Sequence, residues 1–202
     1  MISTISTEKK ILIAAKAVFT KKGFAAARMQ EIADTAEINK GLLHYYFRSK
    51  EKLFDAVFEE ALLEFIPQMN EIFESELPLF QKIEHFVENY INFILKNPQL
   101  PIFIINELNQ NPNIFIEKMK KRNAFPNPMK LMMQIQTEVQ RGNIREINPV
   151  QLVVHILSMC AFPFLAKPML ETVLHLDDSS YIPFLQSRKK EIVSFVKHAI
   201  QK

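Results

Sequence analysis

Glycine is scarce in this chain, with three residues among 202, and tryptophan is absent. So few glycines exclude a fold built on many tight hairpins or on a glycine-rich phosphate loop. One cysteine, Cys160, excludes an internal disulfide and a thiolate metal cluster, and suits a reducing compartment. The five histidines, at 44, 85, 155, 175 and 198, do not fall at metal-ligand spacings, so no metal and no cofactor is expected. Long apolar runs are missing too. The most apolar stretch, LVVHILSMCAFPFL from Leu152 to Leu165, contains His155 and Pro163 and is shorter than the ~18 residues a membrane span needs. The first residues, MISTISTEKK, lack the apolar centre of a secretory signal. The expectation is a cytoplasmic, non-membrane protein. No nucleophile-base pair or paired-carboxylate constellation is recognisable, so an enzyme is not expected.

What is abundant is helix-forming and apolar: 48% hydrophobic residues, 17 phenylalanines and 23% charged residues. With no period-2 pattern, this composition predicts an all-α protein. In Thr7–Lys22, the residues Ile11, Ala15, Val18 and Phe19 recur at helical spacing, with Thr7 as cap and Gly23 as left-handed stop. Short helices are predicted over Arg28–Ala36 and Lys40–Phe47, the latter capped by Asn39. Ser49 caps a fourth helix that Pro67 should end or kink. Four Asn-Pro pairs, at 97–98, 111–112, 127–128 and 148–149, each read as an N-cap followed by proline in the first helical position. Gly142 reads as another stop, and further helices are predicted over Leu79–Lys96 and Tyr181–Ile200.

Two units follow from this pattern. Residues 1–49 form an N-terminal three-helix bundle with a helix-turn-helix, and residues 50–202 a larger helical bundle for dimerisation and ligand binding. Charge divides the same way: residues 1–52 hold ten Lys/Arg against five Asp/Glu, and the rest 15 against 17. A basic small domain on a mildly acidic body points to an anionic partner.

The segment NKGLLHYYFRSK carries the strongest signal. Two short helices separated by Glu37-Ile38-Asn39 have helix-turn-helix spacing. Ile32, Ala33, Ala36, Ile38, Leu43 and Phe47 supply its packing face. Asn39, Lys40, Gly41, Leu42, His44, Tyr45 and Tyr46 are left as the outward row, sized for a major groove of double-stranded DNA. Lys40 suits guanine or phosphate, Leu42 a thymine methyl, the polar rings phosphates or base edges, and Lys50 a phosphate.

The segment over about residues 8–60 resembles the TetR family of bacterial transcriptional regulators. The resemblance rests on Phe19, Gly23, Phe24, Ile32, Ala33, Lys40, Gly41, Leu43, Tyr46, Phe47, Ser49, Lys50, Glu51 and Leu53. It implies a homodimer that binds a dyad-symmetric operator, usually as a repressor, with a C-terminal domain that takes an inducer. Three positions depart from the pattern. Glu37 stands where the family has glycine, which implies a left-handed residue there. Ala27-Arg28 replaces a capping Thr or Ser, leaving Arg28 to restore a phosphate contact by charge. His44 replaces a tyrosine.

For the body, Phe103, Asn106, Glu107, Phe115, Met119, Met129, Met133 and Gln136 combine apolar bulk with a few polar groups. They are the candidate lining for a small apolar or aromatic effector, with Glu107 able to favour a cation. Pro149–Phe162 and Tyr181–Ile200 are the candidate dimer seam. The competing reading is a helical protein-interaction module that keeps the helix-turn-helix without binding DNA.

Overall fold

The computed structural model describes residues 6–202 except Asn111 and Ala124. Eleven helices follow in order: α1 (Thr7–Ala26), α2 (Met29–Thr35), α3 (Lys40–Tyr46), α4 (Lys50–Glu74), α5 (Leu79–Lys96), α6 (Leu100–Gln110), α7 (Pro112–Lys121), α8 (Met129–Gln140), α9 (Pro149–Leu165), α10 (Lys167–Val173) and α11 (Asp178–Ile200). The protein is all-α. Among the described residues, β-structure is limited to one isolated bridge between Ile144 and Gln201. No single helix among them is long and apolar enough to cross a membrane.

The chain divides into two compact units. Residues up to Glu64 join Lys96–Phe115 in the first, and Phe65–Leu95 join Ile116–Lys202 in the second. The first therefore holds the three N-terminal helices, the opening turns of α4, and α6. Its core is formed by Ile11, Ala15, Phe19, Ile32, Ala33, Leu43 and Leu53, all fully buried. Phe54 packs edge-on against Phe19 and Phe24, at 5.0 and 4.8 Å between centroids, and Phe103 of α6 stacks on Phe58 at 5.7 Å.

How the helices end follows from the shortage of glycine. A helix commonly stops on a left-handed residue, for which glycine has no Cβ penalty. Gly142 serves α8 and Gly23 kinks α1 three residues before its end, each at φ 73°. Three further left-handed positions fall on Glu37, Asn123 and His175, at φ 56°, 52° and 53°. Elsewhere lysines take terminal carbonyls. Buried Lys82 donates to the Phe73 and Ser75 carbonyls at 3.0 and 2.8 Å, and Lys130 to that of Glu74 at 2.7 Å, which closes α4. A cation at a helix C-terminus also opposes the helix dipole.

The starts depart in detail from the sequence pattern. Ser6, not Thr7, caps α1, accepting from the Lys9 N–H at 3.2 Å. Asn148 caps α9 as expected, accepting from the Val150 and Gln151 N–H groups. Asn97-Pro98 instead forms a turn closed by the Leu100 N–H on the Asn97 carbonyl, and α6 begins at Leu100. Asn127 accepts from the Met129 N–H, one residue later than expected for α8. The second pair's Asn111 lies outside the described residues, and α7 begins at Pro112. Helix α11 begins at Asp178, ahead of the expected Tyr181, because Asp177 and Ser180 form a reciprocal capping box. Helix α4 runs past Pro67 to Glu74.

Pro163 lies inside α9, where proline costs about 3 kcal/mol, partly by withholding an N–H from the carbonyl four residues earlier. That carbonyl belongs to Met159, and the Arg188 guanidinium of α11 donates to it at 2.6 Å. Arg188→Ala should therefore destabilise the protein by about 1–3 kcal/mol, the usual cost of an orphaned buried acceptor. In a Pro163→Ala background, where the N–H returns, the loss should be much smaller. Urea unfolding of the four proteins measures the coupling, and additive losses would show that Arg188 does not stand in for the missing donor.

Candidate nucleic-acid interface

The candidate interface is α3 and the turns that fix it. Helix α2 ends in a six-residue cap: the Ile38 N–H reaches the Ala33 carbonyl at 3.0 Å, and the Glu37 N–H reaches that of Asp34 at 3.1 Å. This pattern requires a left-handed residue at position 37, and Glu37 occupies it. Asn39 then caps α3, its side chain accepting from the Leu42 N–H at 2.7 Å. Gly41 makes room for that cap, since a Cβ there would stand 3.2 Å from the Asn39 Oδ1.

Leu43 and Phe47, four residues apart, bury the inner side of α3. Lys40, Gly41, His44, Tyr45 and Tyr46 are exposed, and Leu42 is half-buried. Tyr45 is 80% exposed and meets the Tyr46 ring edge-on at 5.5 Å. Tyr45 is therefore not a packing residue of the first unit. Arg28 and Arg48 are exposed as well, Arg28 at the start of α2 with no side-chain cap made. Arg28, Asn39, Lys40, Gly41, Leu42, His44, Tyr45 and Tyr46 thus all belong to the α2–α3 element or its edge.

Lys50, named above for a phosphate contact, is engaged within the protein. Its ammonium donates to the carbonyls of Phe24, Ala25 and Ala27 at 2.9, 3.3 and 3.2 Å and sits 4.5 Å from the centre of the Phe24 ring. An ammonium has three donors, and all three are engaged. Lys50 therefore ties the end of α1 to the start of α4. The sequence carried a signal for this that spacing alone did not reveal. After Gly23, the segment FAAA offers no side chain of its own to satisfy the carbonyls of that turn. The Lys22–Glu31 ion pair, at 2.7 Å on a part-exposed surface, adds little by comparison.

The eight residues proposed for effector binding are divided between the two units. Phe103 and Phe115 are buried in the first unit, 6.2 Å apart between ring centres, with Asn106 exposed and Glu107 half-buried on α6. In the second unit Met119 is buried. Met129 and Met133 are 56% and 64% exposed, and Gln136 is exposed, because α8 turns Leu131 and Ile135 inward. The second unit does contain an apolar cavity, but it is lined by other residues. Among the described residues, no group of three or more His, Cys, Asp or Glu could hold a metal ion.

Comparison with known proteins agrees with this geometry. Residues 11–57 match the family described as bacterial regulatory proteins, tetR family. The chain is 27% identical over 146 residues to an uncharacterized HTH-type transcriptional regulator, YhgD, of Bacillus subtilis, covering 72% of this chain and 76% of that protein. It is 44% identical over 59 residues to the HTH-type transcriptional repressor NicS of Pseudomonas putida, 29% of this chain and 28% of that one. In fold it is similar to a TetR transcription regulator from Haloarcula marismortui, with a TM-score of 0.66 at 17% identity, covering 97% of this chain and 98% of the other.

Two variants test the supports of α3. Glu37→Gly should stabilise the protein by about 1 kcal/mol, since glycine removes the left-handed Cβ clash and its extra freedom in the unfolded chain offsets only part of the gain. A clear destabilisation in urea melts would mean that the Glu37 side chain has a compensating partner. Lys50→Met should cost about 1 kcal/mol or more through orphaned carbonyls. It should leave the salt dependence of DNA binding unchanged, whereas a lost phosphate contact would lower that slope by ~1.

Proposed function

We infer that this chain, whose residues 11–57 match the tetR family, is a DNA-binding transcriptional regulator acting as a two-fold homodimer. Each copy lays α3 in a major groove of a dyad-symmetric operator. The observation that carries this reading is the outward row of α3. It places a cation, three polar rings and a glycine on the exposed side of a helix whose other side and start are firmly held. An exposed tyrosine pair is costly to leave in water on a free surface, and base edges and phosphates give it a partner. Arg28 and Arg48 supply backbone contacts beside the helix.

The dimer reading is supported by the outer faces of α9 and α11. Val150, Val154, Leu157 and Leu165 share one side of α9 and are 55%, 48%, 37% and 36% exposed, and Ile182 and Phe195 of α11 are 51% and 66% exposed. Repression is the proposed sign of regulation, as in the name of the Pseudomonas putida relative, and the cytoplasm is the proposed compartment. An effector would release the operator by preferring the dimer state whose reading helices are wrongly spaced. Moving from 99% to 1% competent dimer takes about 5.5 kcal/mol of differential affinity.

The test begins with genomic fragments selected by the full-length protein, followed by anisotropy titrations against salt. Affinity should fall steeply with salt, as counterions are released from the phosphates. Lys40→Ala and Tyr45→Ala should each weaken operator binding roughly tenfold or more, about 1–3 kcal/mol, with helicity intact. Operator affinity unchanged in both, or binding insensitive to salt, would favour a protein-interaction module instead.

A further inference from the structure

The mild acidity of the body hides a reversal of sign. From Lys118 to Thr137 the sequence holds five cations, at 118, 120, 121, 122 and 130, and no Asp or Glu, whereas the rest of residues 53–202 holds ten Lys/Arg against 17 Asp/Glu. The stretch covers the end of α7, the loop 122–128 and most of α8, and it lies within the second unit. Lys120, Lys121 and Lys130 are exposed. So are three large apolar side chains among them, Phe125, Met129 and Met133. Neither the helix-turn-helix nor the seam proposed on α9 and α11 uses this surface.

Cations and apolar groups are held side by side. The Lys120 ammonium sits 5.4 Å from the centre of the Phe125 ring. Lys130 and Met133 line one cleft with Arg141. Lys130 also meets the Glu76 carboxylate, on an exposed surface where such a pair contributes little. The loop backbone is already occupied. The Arg122 and Asn123 N–H groups return to the Met119 and Lys120 carbonyls. The Asn70 side chain donates to the Phe125 carbonyl at 3.1 Å and accepts from the Asn127 N–H at 2.8 Å, and Pro126 and Pro128 have no N–H. A peptide strand seeking main-chain hydrogen bonds therefore finds few here. A DNA backbone would meet the lysines and leave Phe125, Met129 and Met133 in water. An anionic lipid surface meets both, since apolar side chains enter the acyl boundary while lysine stems reach back to the headgroups.

We propose that this surface docks the chain on membranes rich in anionic lipid, with Phe125, Met129 and Met133 inserted and Lys120, Lys121 and Lys130 at the headgroups. The contact is peripheral and reversible, and it needs no spanning helix. Each lysine beside an anionic leaflet strengthens such binding about fivefold, and salt screens the effect. Operator binding plays no part in the docking step, so the two readings fail separately.

The chain has no tryptophan, so Phe125→Trp places a single fluorophore in the surface. Titrated with phosphatidylglycerol vesicles, its emission should shift to the blue and the full chain should co-sediment. Both signals should be absent over phosphatidylcholine vesicles and should fade as salt is raised. Adding Lys120→Gln and Lys121→Gln should weaken binding to phosphatidylglycerol at least about tenfold, while circular dichroism shows the helices intact. The basic N-terminal unit is a second source of cations. Arg28→Gln with Lys40→Gln is therefore the control, and it should leave the blue shift in place. If the tryptophan reporter fails to fold, co-sedimentation of the chain with native Phe125 makes the same comparisons. Co-sedimentation without a blue shift in a folded reporter, equal binding to neutral vesicles, or a loss confined to the Arg28 and Lys40 control would overturn the proposal. So would a Lys120 and Lys121 variant that loses affinity for duplex DNA and keeps it for vesicles, which would assign the surface to nucleic acid. A changed oligomeric state in Phe125→Trp would assign it to a second copy and overturn the proposal as well.

Discussion

Every helix leaves carbonyls without intrahelical partners at its C-terminus, and among the described residues only Gly23 and Gly142 are placed to manage any of eleven such ends. The solutions adopted there determine where the candidate reading helix is held. Lys50 provides the central one. By engaging three carbonyls after Gly23 it fixes the exit of α1 at the first residue of α4, and α2 and α3 are strung between those two points. Glu37 provides the next, tolerating a left-handed backbone so that Ile38 can turn inward and Asn39 can cap α3. The second unit repeats the device, with Lys82 and Lys130 closing α4. A lysine clamp differs from a glycine stop in one physical respect: it joins two elements distant in sequence, so a helix end also becomes a tertiary contact.

The elements whose signals are local were legible in the sequence. Asn39, Ser49 and Asn148 act through hydrogen bonds two or three residues away, and each caps as its position suggested. The left-handed turn at position 37 was legible from a resemblance, and Glu37 adopts it. The outward row of α3 followed from helical period alone; Lys40, Gly41, His44, Tyr45 and Tyr46 are exposed, and Leu42 is half-buried. What was not legible depends on partners remote in the chain. Lys50 and Phe24 are 26 residues apart, and nothing in the spacing of NKGLLHYYFRSK distinguishes a lysine that clamps carbonyls from one that meets phosphate. Met129 and Met133 looked like a ligand wall because methionine suits one. The facing of α8 is set by Leu131 and Ile135, which only the packed structure reveals. Proline ordinarily breaks a helix, and at Pro163 it is Arg188, 25 positions on in sequence, that takes the carbonyl left without its N–H as α9 continues.

The two units thus present different chemistry. In the first, polar and cationic groups are kept outward on a short helix with little freedom, which suits recognition of a fixed polar lattice such as a DNA groove. In the second, Pro126 and Pro128 border an apolar pocket, and Asn70 holds the loop that carries them. Helix α4 runs from Lys50 in one unit to the cavity-lining Phe65, Ile66, Met69 and Phe73 in the other.

The central claim, that α3 enters the major groove, is tested most directly by cleavage chemistry tethered beside it. Thr35→Cys offers an exposed thiol at the end of α2, outside the row proposed to touch DNA, while the native Cys160 is buried and its pKa is pushed up to about 12, so labelling is selective for position 35. An iron chelate attached there should cut selected operator DNA in two clusters related by a dyad, on major-groove faces about one turn, ~34 Å, or a multiple apart. Diffuse cutting, a single cluster without symmetry, or cuts confined to the minor groove would contradict the account.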